Sequence, residues 1–65
     1  MRIGRKIMLA RREAGLTQTH LADKCGLTQV SVSQIENGRT DTGILTIYRI
    51  ATALEIKLSD LFAGL

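Results

Sequence analysis

Amide and small polar side chains form an uncharged face on one short stretch of this 65-residue chain. On a helical wheel with about 100° per residue, that face includes Gln29, Val30, Ser33 and Gln34. A glutamine amide offers a donor and an acceptor together, which matches the N6 and N7 atoms of adenine in the major groove of DNA. Val30 can pack against a thymine methyl group, and Ser33 can bond a base or a phosphate. The face therefore predicts contacts with DNA bases.

A helix-turn-helix is the predicted element that presents this face. Thr17 and Thr28 each stand where a hydroxyl can accept a backbone N–H at the start of a helix. Gly26 allows a tight turn between the two helices. We expect the earlier helix over residues 18–25 and the later one over residues 29–37.

An internal ion pair is predicted to tie the first helix to the helix-turn-helix. Apolar residues at positions 3, 7, 10 and 14 predict an amphipathic first helix over residues 3–14. Glu36 borders the core side of the wheel that carries the amides. Because a buried carboxylate is costly unless it is paired, Arg11 on the first helix is its natural partner.

Two further helices complete the predicted fold. Apolar spacing favours a fourth helix over residues 43–54, which the last residues of the polar connector Arg39-Thr40-Asp41-Thr42 can cap, and Glu55 stands where a glycine would end it more easily. Its expected apolar stripe is Ile44, Ile47, Ile50, Ala51 and Leu54. A last helix or turn follows over residues 58–65, which are too apolar for a free tail. Since no alternating strand pattern appears, we predict an all-α domain of five short helices that spans residues 1–65.

The charge distribution and the numbers of cysteine and histidine residues indicate which kinds of partner the chain can bind. Residues 1–39 hold seven Lys and Arg against three Asp and Glu, so the half with the helix-turn-helix is basic and favours a polyanion. Within it, the free N–H groups and positive dipole end of the second helix make Gln18 a candidate phosphate ligand. The single cysteine, Cys25, excludes an internal disulfide, and with the single histidine, His20, it cannot build a zinc site, so no metal or cofactor is predicted. No apolar run approaches the roughly 20 residues of a membrane span, and we expect a cytoplasmic protein.

The residue types of a catalytic triad occur, but they do not predict catalysis. His20 and Asp23 lie one turn apart on the same short helix, whereas the wheel turns Ser33 outward on another helix. No pocket around them is implied in so small a chain. We therefore predict that the protein is not an enzyme.

The motif as a whole resembles the helix-turn-helix family of phage repressors and Cro, also called the XRE family. The resemblance is carried by Arg11, Gly15-Leu16-Thr17-Gln18, Leu21-Ala22, Gly26-Leu27-Thr28-Gln29, Val32-Ser33, Ile35-Glu36-Asn37-Gly38, Ile50-Ala51, Leu54 and Leu61-Phe62. It implies a compact five-helix domain like that of lambda repressor. It also implies a sequence-specific DNA-binding transcriptional regulator, a repressor that places its recognition helix in the major groove.

Position by position, the resemblance assigns roles to particular side chains. It implies that Gln29, Val30 and Gln34 face bases with Ser33 close by, and that phosphates are held by Gln18, Asn37 and Arg39. It further implies a homodimer that reads a two-fold symmetric operator with half-sites roughly 34 Å apart. The implied dimer surface is the C-terminal helix, with Leu58, Leu61, Phe62 and Leu65. From the residues alone, an apolar C-terminus could equally complete the core of a monomer.

A second hypothesis is that the protein is an antitoxin of the same family, which binds a toxin protein and also binds DNA to regulate its own operon. Its candidate surface is Leu45, Tyr48, Leu58, Leu61 and Leu65. The chain departs from the usual family pattern because it lacks a proline near Thr42 and a glycine at Glu55. Leu45 also stands at a position that is usually polar, where together with Tyr48 it enlarges an apolar patch.

Overall fold

The computed structural model describes residues 2–63, and in that range the chain forms five α-helices and no strand. The helices are α1 (Arg2–Glu13), α2 (Gln18–Cys25), α3 (Gln29–Glu36), α4 (Ile44–Ala53) and α5 (Leu58–Phe62). The predicted all-α fold with five helices is confirmed, and both ends of α2 agree with the prediction. No helix in the described range is long and apolar enough to cross a membrane.

Threonine caps start the two central helices. The Oγ1 atom of Thr17 accepts the N–H of His20 at 3.1 Å, and the Oγ1 atom of Thr28 accepts the N–H of Ser31 at 3.1 Å. Gly26 then ends α2 in the left-handed region with φ 72°. Each threonine satisfies one of the N–H groups that a helix start leaves without an intrahelical partner, which is why these boundaries were readable from the sequence.

Helix α4 begins differently from the prediction. Its N-cap is Gly43, and no side chain bonds to the N–H groups of its first turn, so the expected cap from the last residues of the connector over residues 39–42 is wrong. Ile44, expected in the buried stripe, is 60% exposed because it lies in the first turn of α4, outside the core cluster. The buried part of the stripe starts only at Ile47.

The core is aliphatic and draws on all five helices. Its buried members are Ile3, Ile7, Leu21, Ala22, Cys25, Val32, Ile35, Ile47, Ile50, Ala51, Leu54 and Leu61. Helix α5 closes the core against α1 and α4, and the Lys6 ammonium donates to the carbonyl of Ala63 at its end. The protomer thus uses its C-terminal helix for its own burial.

This use of α5 involves the residues expected at the dimer surface. Leu61 is 1% exposed and belongs to the protomer's own core, so its side chain is not available to a partner. Leu58 is half-buried and packs against the same core, whereas Phe62 is 39% exposed. Leu65 lies outside the described residues. Leu61 therefore contributes to the core of its own protomer.

Helices α1 and α3 approach each other closely at Gly4. A Cβ atom added there would lie 2.2 Å from the Ile35 carbonyl oxygen and 3.0 Å from the Glu36 carbonyl oxygen. Both atoms are backbone, so neither can move aside without shifting α3. Gly4 therefore sets the distance between α1 and the end of α3.

We predict that Gly4→Ala lowers the free energy of unfolding by about 1–3 kcal/mol, the usual cost of overpacking. Urea denaturation followed by circular dichroism measures it. Gly43→Ala is the matched control, because nothing lies within 4 Å of its added Cβ and its φ of −68° suits alanine. Equal stabilities for the two variants would contradict the close approach.

The end of α4 carries backbone strain at Glu55. The N–H of Ile56 donates to the Ala51 carbonyl at 3.0 Å and the N–H of Glu55 to the Thr52 carbonyl at 3.1 Å. This is the bond pattern of a Schellman motif, in which a glycine usually occupies the left-handed position. Here Glu55 takes it with φ 58°, the one described non-glycine residue with positive φ.

Glu55→Gly is expected to raise the free energy of unfolding by about 0.5–1 kcal/mol, since it removes the clash of Cβ with the backbone. Gly15→Ala is the reverse substitution and serves as the control, because Gly15 has φ 73° and an added Cβ would contact no neighbouring atom. It should lower stability by about 1 kcal/mol through backbone strain alone. Chemical denaturation of both variants tests the pair, and a destabilised Glu55→Gly protein would refute the assignment of strain.

Candidate nucleic-acid interface

Helix α3 has a buried side and an open side. Val32 and Ile35 point into the core at 0% and 6% exposure. On the opposite side Gln29 and Gln34 are exposed, and Val30 is 59% exposed. Ser33 is half-buried. The face proposed for base contact is thus exposed to solvent, and Ser33 lies at its edge.

Beneath that face, Arg11 and Glu36 form a buried ion pair. The Arg11 Nε atom donates to Glu36 Oε2 at 2.6 Å and Nη2 donates to Oε1 at 3.1 Å. The two residues are only 8% and 7% exposed. Arg11 Nη1 also donates to the Leu16 carbonyl at 2.8 Å, so one guanidinium joins α1, the loop before α2 and the end of α3.

Two glutamines continue this network to the surface. Gln18 Nε2 donates to Glu36 Oε1 at 3.1 Å, and Gln29 Nε2 donates to Gln18 Oε1 at 2.6 Å. The first residue of α2 therefore holds the first residue of α3. Sequence reasoning missed both bonds, although one signal was available: each helix opens with the same dipeptide, Thr-Gln. After these bonds Gln29 keeps its Oε1 atom and one amide hydrogen for an outside partner.

The residues proposed for phosphate contact lie at helix ends. At the start of α2, helix geometry leaves the backbone N–H groups of Gln18 and Thr19 without intrahelical acceptors, which suits an anion. Asn37 donates to the Ser33 carbonyl at 2.8 Å, so its amide also caps α3. Arg39 is exposed, and its backbone N–H donates to the Gln34 carbonyl at 2.9 Å, which fixes where its side chain starts.

A polar cleft of about 200 Å³ separates α3 from the start of α4. Its lining includes Gln34, Thr40, Asp41, Gly43 and Thr46. The structure thus brings the uncapped start of α4 beside the exposed amide of Gln34. That neighbourhood was not predicted from sequence, because it depends on the path of the loop over residues 37–43.

The side chains with the residue types of a catalytic triad lie on two different helices. His20 and Asp23 are exposed on α2, while Ser33 is half-buried on α3, and no hydrogen bond in the described range joins any two of the three. Cys25 is buried and its Sγ donates to the Leu21 carbonyl at 3.0 Å. Burial raises the pKa of the Cys25 thiol, an effect that backbone hydrogen bonds partly offset. Less thiolate forms at a given pH as a result.

Two capped helices around a left-handed glycine, with the second helix open on one side, define a helix-turn-helix of the DNA-recognition type. Comparison with protein families agrees, because the family model described as Helix-turn-helix matches residues 7–61. The chain belongs to the helix-turn-helix family of transcriptional regulators.

Individual relatives of known structure are similar over nearly the whole chain. The restriction-modification controller protein C.AhdI from Aeromonas hydrophila is 33% identical with a TM-score of 0.90, covering 92% of this chain and 87% of that one. SinR, a master regulator for biofilm formation solved in complex with DNA, is 30% identical with a TM-score of 0.84, covering 92% and 97%.

A third relative carries a different name. The antitoxin HipB of Escherichia coli O6:H1 (strain CFT073) is 35% identical over 51 residues, or 78% of this chain. The chain spans about half of HipB, since the match covers 54% of that protein.

Arg11→Met is expected to lower the free energy of unfolding by about 3–5 kcal/mol, because it leaves the Glu36 carboxylate buried without a partner. Arg12→Met, at an exposed position of the same helix, is the matched control and should change stability by less than about 0.5 kcal/mol. The double variant Arg11→Met/Glu36→Leu removes both charges and should recover much of the loss. Thermal and urea denaturation of the set measures this, and an unaltered Arg11→Met protein would contradict it.

Proposed function

We propose that this chain is a sequence-specific DNA-binding transcriptional regulator that represses by occupying an operator. The observation that carries the proposal is the open face of α3, where Gln29, Val30 and Gln34 are exposed. The buried ion pair between Arg11 and Glu36 fixes the end of this helix on its opposite side. A surface helix selected only for solubility would carry Lys and Glu on this face. Amides serve direct readout of bases in the major groove.

Phosphate contacts would supply most of the affinity. Candidate donors are the first N–H groups of α2, the exposed Arg39 and the second amide hydrogen of Asn37. All three belong to the basic part of the chain. Since DNA releases counterions when its phosphates are neutralised, binding should weaken steeply with salt.

Two copies are needed to read a two-fold symmetric site. The longest dimension of the protomer is 26 Å between Cα atoms, shorter than the roughly 34 Å between half-sites one DNA turn apart. A single protomer has one α3 and is too short to reach both half-sites. A homodimer, with one α3 per half-site, meets the geometry.

Selection of bound sites from random double-stranded DNA tests the proposal. The expected outcome is an enriched sequence with two-fold symmetry and half-sites about one turn apart. Enrichment of no sequence, or of a single unrepeated half-site, would contradict the proposed readout by a dimer.

An antitoxin is the second candidate, favoured by the 35% identity with HipB. In that case DNA binding would serve autoregulation and a toxin protein would be the main partner. A pull-down from the native host separates the two functions. A stoichiometric enzyme whose toxicity this chain neutralises favours the antitoxin, whereas the chain recovered with copies of itself favours the repressor.

Gln34→Ala and Arg39→Ala should affect DNA binding in different ways. Gln34→Ala is expected to cost about 1–3 kcal/mol at its preferred base pair while leaving binding to random DNA unchanged. Arg39→Ala should weaken binding to every sequence and reduce the slope of log K against log salt by about one. Titrations by fluorescence anisotropy at several salt concentrations measure both, and equal losses for Gln34→Ala on selected and random DNA would remove its role in base readout.

A further inference from the structure

We propose that Asn37 is a site of spontaneous covalent modification, at which the side-chain amide is lost as ammonia and the carboxylate that replaces it weakens the binding of this chain to DNA. The chemical step concerns the chain alone. Its effect on DNA binding rests on the proposed function, in which Asn37 contacts a phosphate. The modification thus limits how long one copy of the regulator stays active.

The sequence places the reactive pair of residues at one position only. Asn37 is the single asparagine of the 65 residues, and a glycine, Gly38, follows it. The backbone nitrogen after an asparagine is the nucleophile in deamidation, and a glycine leaves that nitrogen free of side-chain hindrance. Asn37 and Gly38 are both exposed, so water has access to the reacting atoms.

The reaction needs water and no other reagent. The deprotonated backbone nitrogen of Gly38 attacks Cγ of Asn37, and the new C–N bond closes a five-membered succinimide ring. The bond from Cγ to the side-chain nitrogen breaks, and this nitrogen leaves as ammonia after taking up the proton that the backbone nitrogen lost. Water then adds to one of the two ring carbonyls and opens the ring. One opening gives aspartate, and the other gives isoaspartate, in which the backbone continues through the former side chain.

The cap at the end of α3 holds this pair in a conformation that cannot react. The Gly38 N–H donates to the Ile35 carbonyl at 3.1 Å, with Gly38 at φ 67°. The Arg39 N–H donates to the Gln34 carbonyl at 2.9 Å, which completes a Schellman motif with its usual glycine. Because ψ of Asn37 is 1°, the Gly38 nitrogen eclipses the Asn37 backbone nitrogen, whereas ring closure requires it to eclipse Cβ. A large rotation about the Cα–C bond of Asn37 must therefore precede the attack.

Opening of this cap is a local event, because the chain is anchored immediately before it. Glu36 is 7% exposed and is paired with Arg11, whose Nε lies 2.6 Å from Glu36 Oε2. Residues 38–41, in contrast, belong to no helix and are all exposed. Such segments open with free energies far below that of global unfolding. The rate of deamidation in the folded protein is therefore set by the fraction of time that the cap is open.

Aspartate at position 37 removes a donor where the structure uses one. The Asn37 Nδ2 atom donates to the Ser33 carbonyl at 2.8 Å and to the Ser33 hydroxyl at 3.5 Å. A carboxylate oxygen in its place is an acceptor that faces another acceptor, and its charge lies at the negative end of the α3 dipole. The carboxylate also repels the phosphate that the amide would bind.

Isoaspartate changes the backbone as well as the charge. It adds one carbon atom to the main chain between positions 37 and 38, so the N–H groups of Gly38 and Arg39 lose their register with the carbonyls of α3. Those two bonds fix where the Arg39 side chain starts. Each product thus weakens phosphate contact, through the charge at residue 37 or through the displacement of Arg39.

The chemical step is tested without DNA. The folded protein and the protein unfolded in urea are incubated side by side, and the peptide that contains residues 37 and 38 is analysed by chromatography and mass spectrometry. We expect both products at residue 37, at a rate at least about 10-fold lower in the folded protein because the cap must open first. Asn37→Gln is the matched control, since it keeps an amide but requires a larger ring that forms less readily, and it should show no conversion.

Two results of this comparison would overturn the proposal. Equal rates in the folded and the unfolded protein would refute protection by the cap. A folded protein that stays unmodified while the unfolded protein converts completely would refute the modification site.

The effect on DNA binding is tested by sorting a partly converted sample on the selected DNA site. We expect the unbound fraction to be enriched in aspartate and isoaspartate, because loss of a hydrogen bond to a charged phosphate weakens binding about 10- to 100-fold. Asn37→Asp supplies one product directly and should show a loss of the same size. The affinity of Asn37→Gln, whatever its initial value, should stay constant during incubation. Equal proportions of modified chains in the bound and unbound fractions would overturn the effect.

The two measurements separate this inference from the proposed function. Conversion at Asn37 in a chain whose fresh form selects no DNA sequence would confirm the modification site but refute the proposed function, and with it the effect on DNA binding. A fresh protein that selects a DNA site and never converts would refute the modification and leave the proposed function intact.

Discussion

The buried pair of Arg11 and Glu36 is the interaction on which the rest of this small domain depends. Two charges almost out of water are tolerated because the guanidinium and the carboxylate satisfy each other with two bonds and recruit the Leu16 carbonyl and Gln18 for the remainder. Such a pair adds little net stability compared with apolar packing, but it is directional. It specifies where α1, the loop before α2 and the end of α3 meet, which aliphatic contacts alone would leave adjustable.

That directionality matters because α3 is short. A helix of eight residues is far below the length at which helices persist alone in water, so its order comes from the surrounding structure. Thr28 caps its start, Asn37 caps its end, and Val32 and Ile35 anchor its middle. Gly4 lets the α1 backbone press against its last carbonyls. On the open face of α3, Gln29 is held by Gln18 and the Ser33 hydroxyl accepts from the Asn37 amide at 3.5 Å, whereas the side chains of Val30 and Gln34 form no hydrogen bond with a described residue.

Patterns in the sequence were sufficient to predict the structure wherever a local rule decides it. Threonine caps and Gly26 place both ends of α2, and the wheel places Glu36 on the side that Arg11 approaches. Prediction failed where the outcome depends on how helices cross. A wheel assigns Ile44 to the apolar side but cannot show that α4 extends beyond the core at that point.

The same limit applies to the C-terminal helix and to the turn. An apolar helix can cover its own protomer or a partner, and only the packing of α5 on α1 and α4 shows that Leu61 is internal. The bond between Gln18 and Gln29 depends on the distance across the turn, which the two Thr-Gln dipeptides do not specify by themselves.

The network from Arg11 to Gln29 has a consequence for recognition under the proposed function. A free glutamine side chain loses up to about 1.5–2 kcal/mol of rotamer entropy when it is fixed against a base. Gln29 is already held at 2.6 Å by Gln18, which is itself bonded to the buried Glu36, so much of that cost is met on folding. Its remaining donor and acceptor therefore point in set directions before any DNA arrives. Gln34 has no such bond among the described residues, so it keeps more freedom. Under the proposed function the two glutamines on this face would act differently, because Gln29 would contact a base with a preset geometry whereas Gln34 would adapt to the base that it contacts.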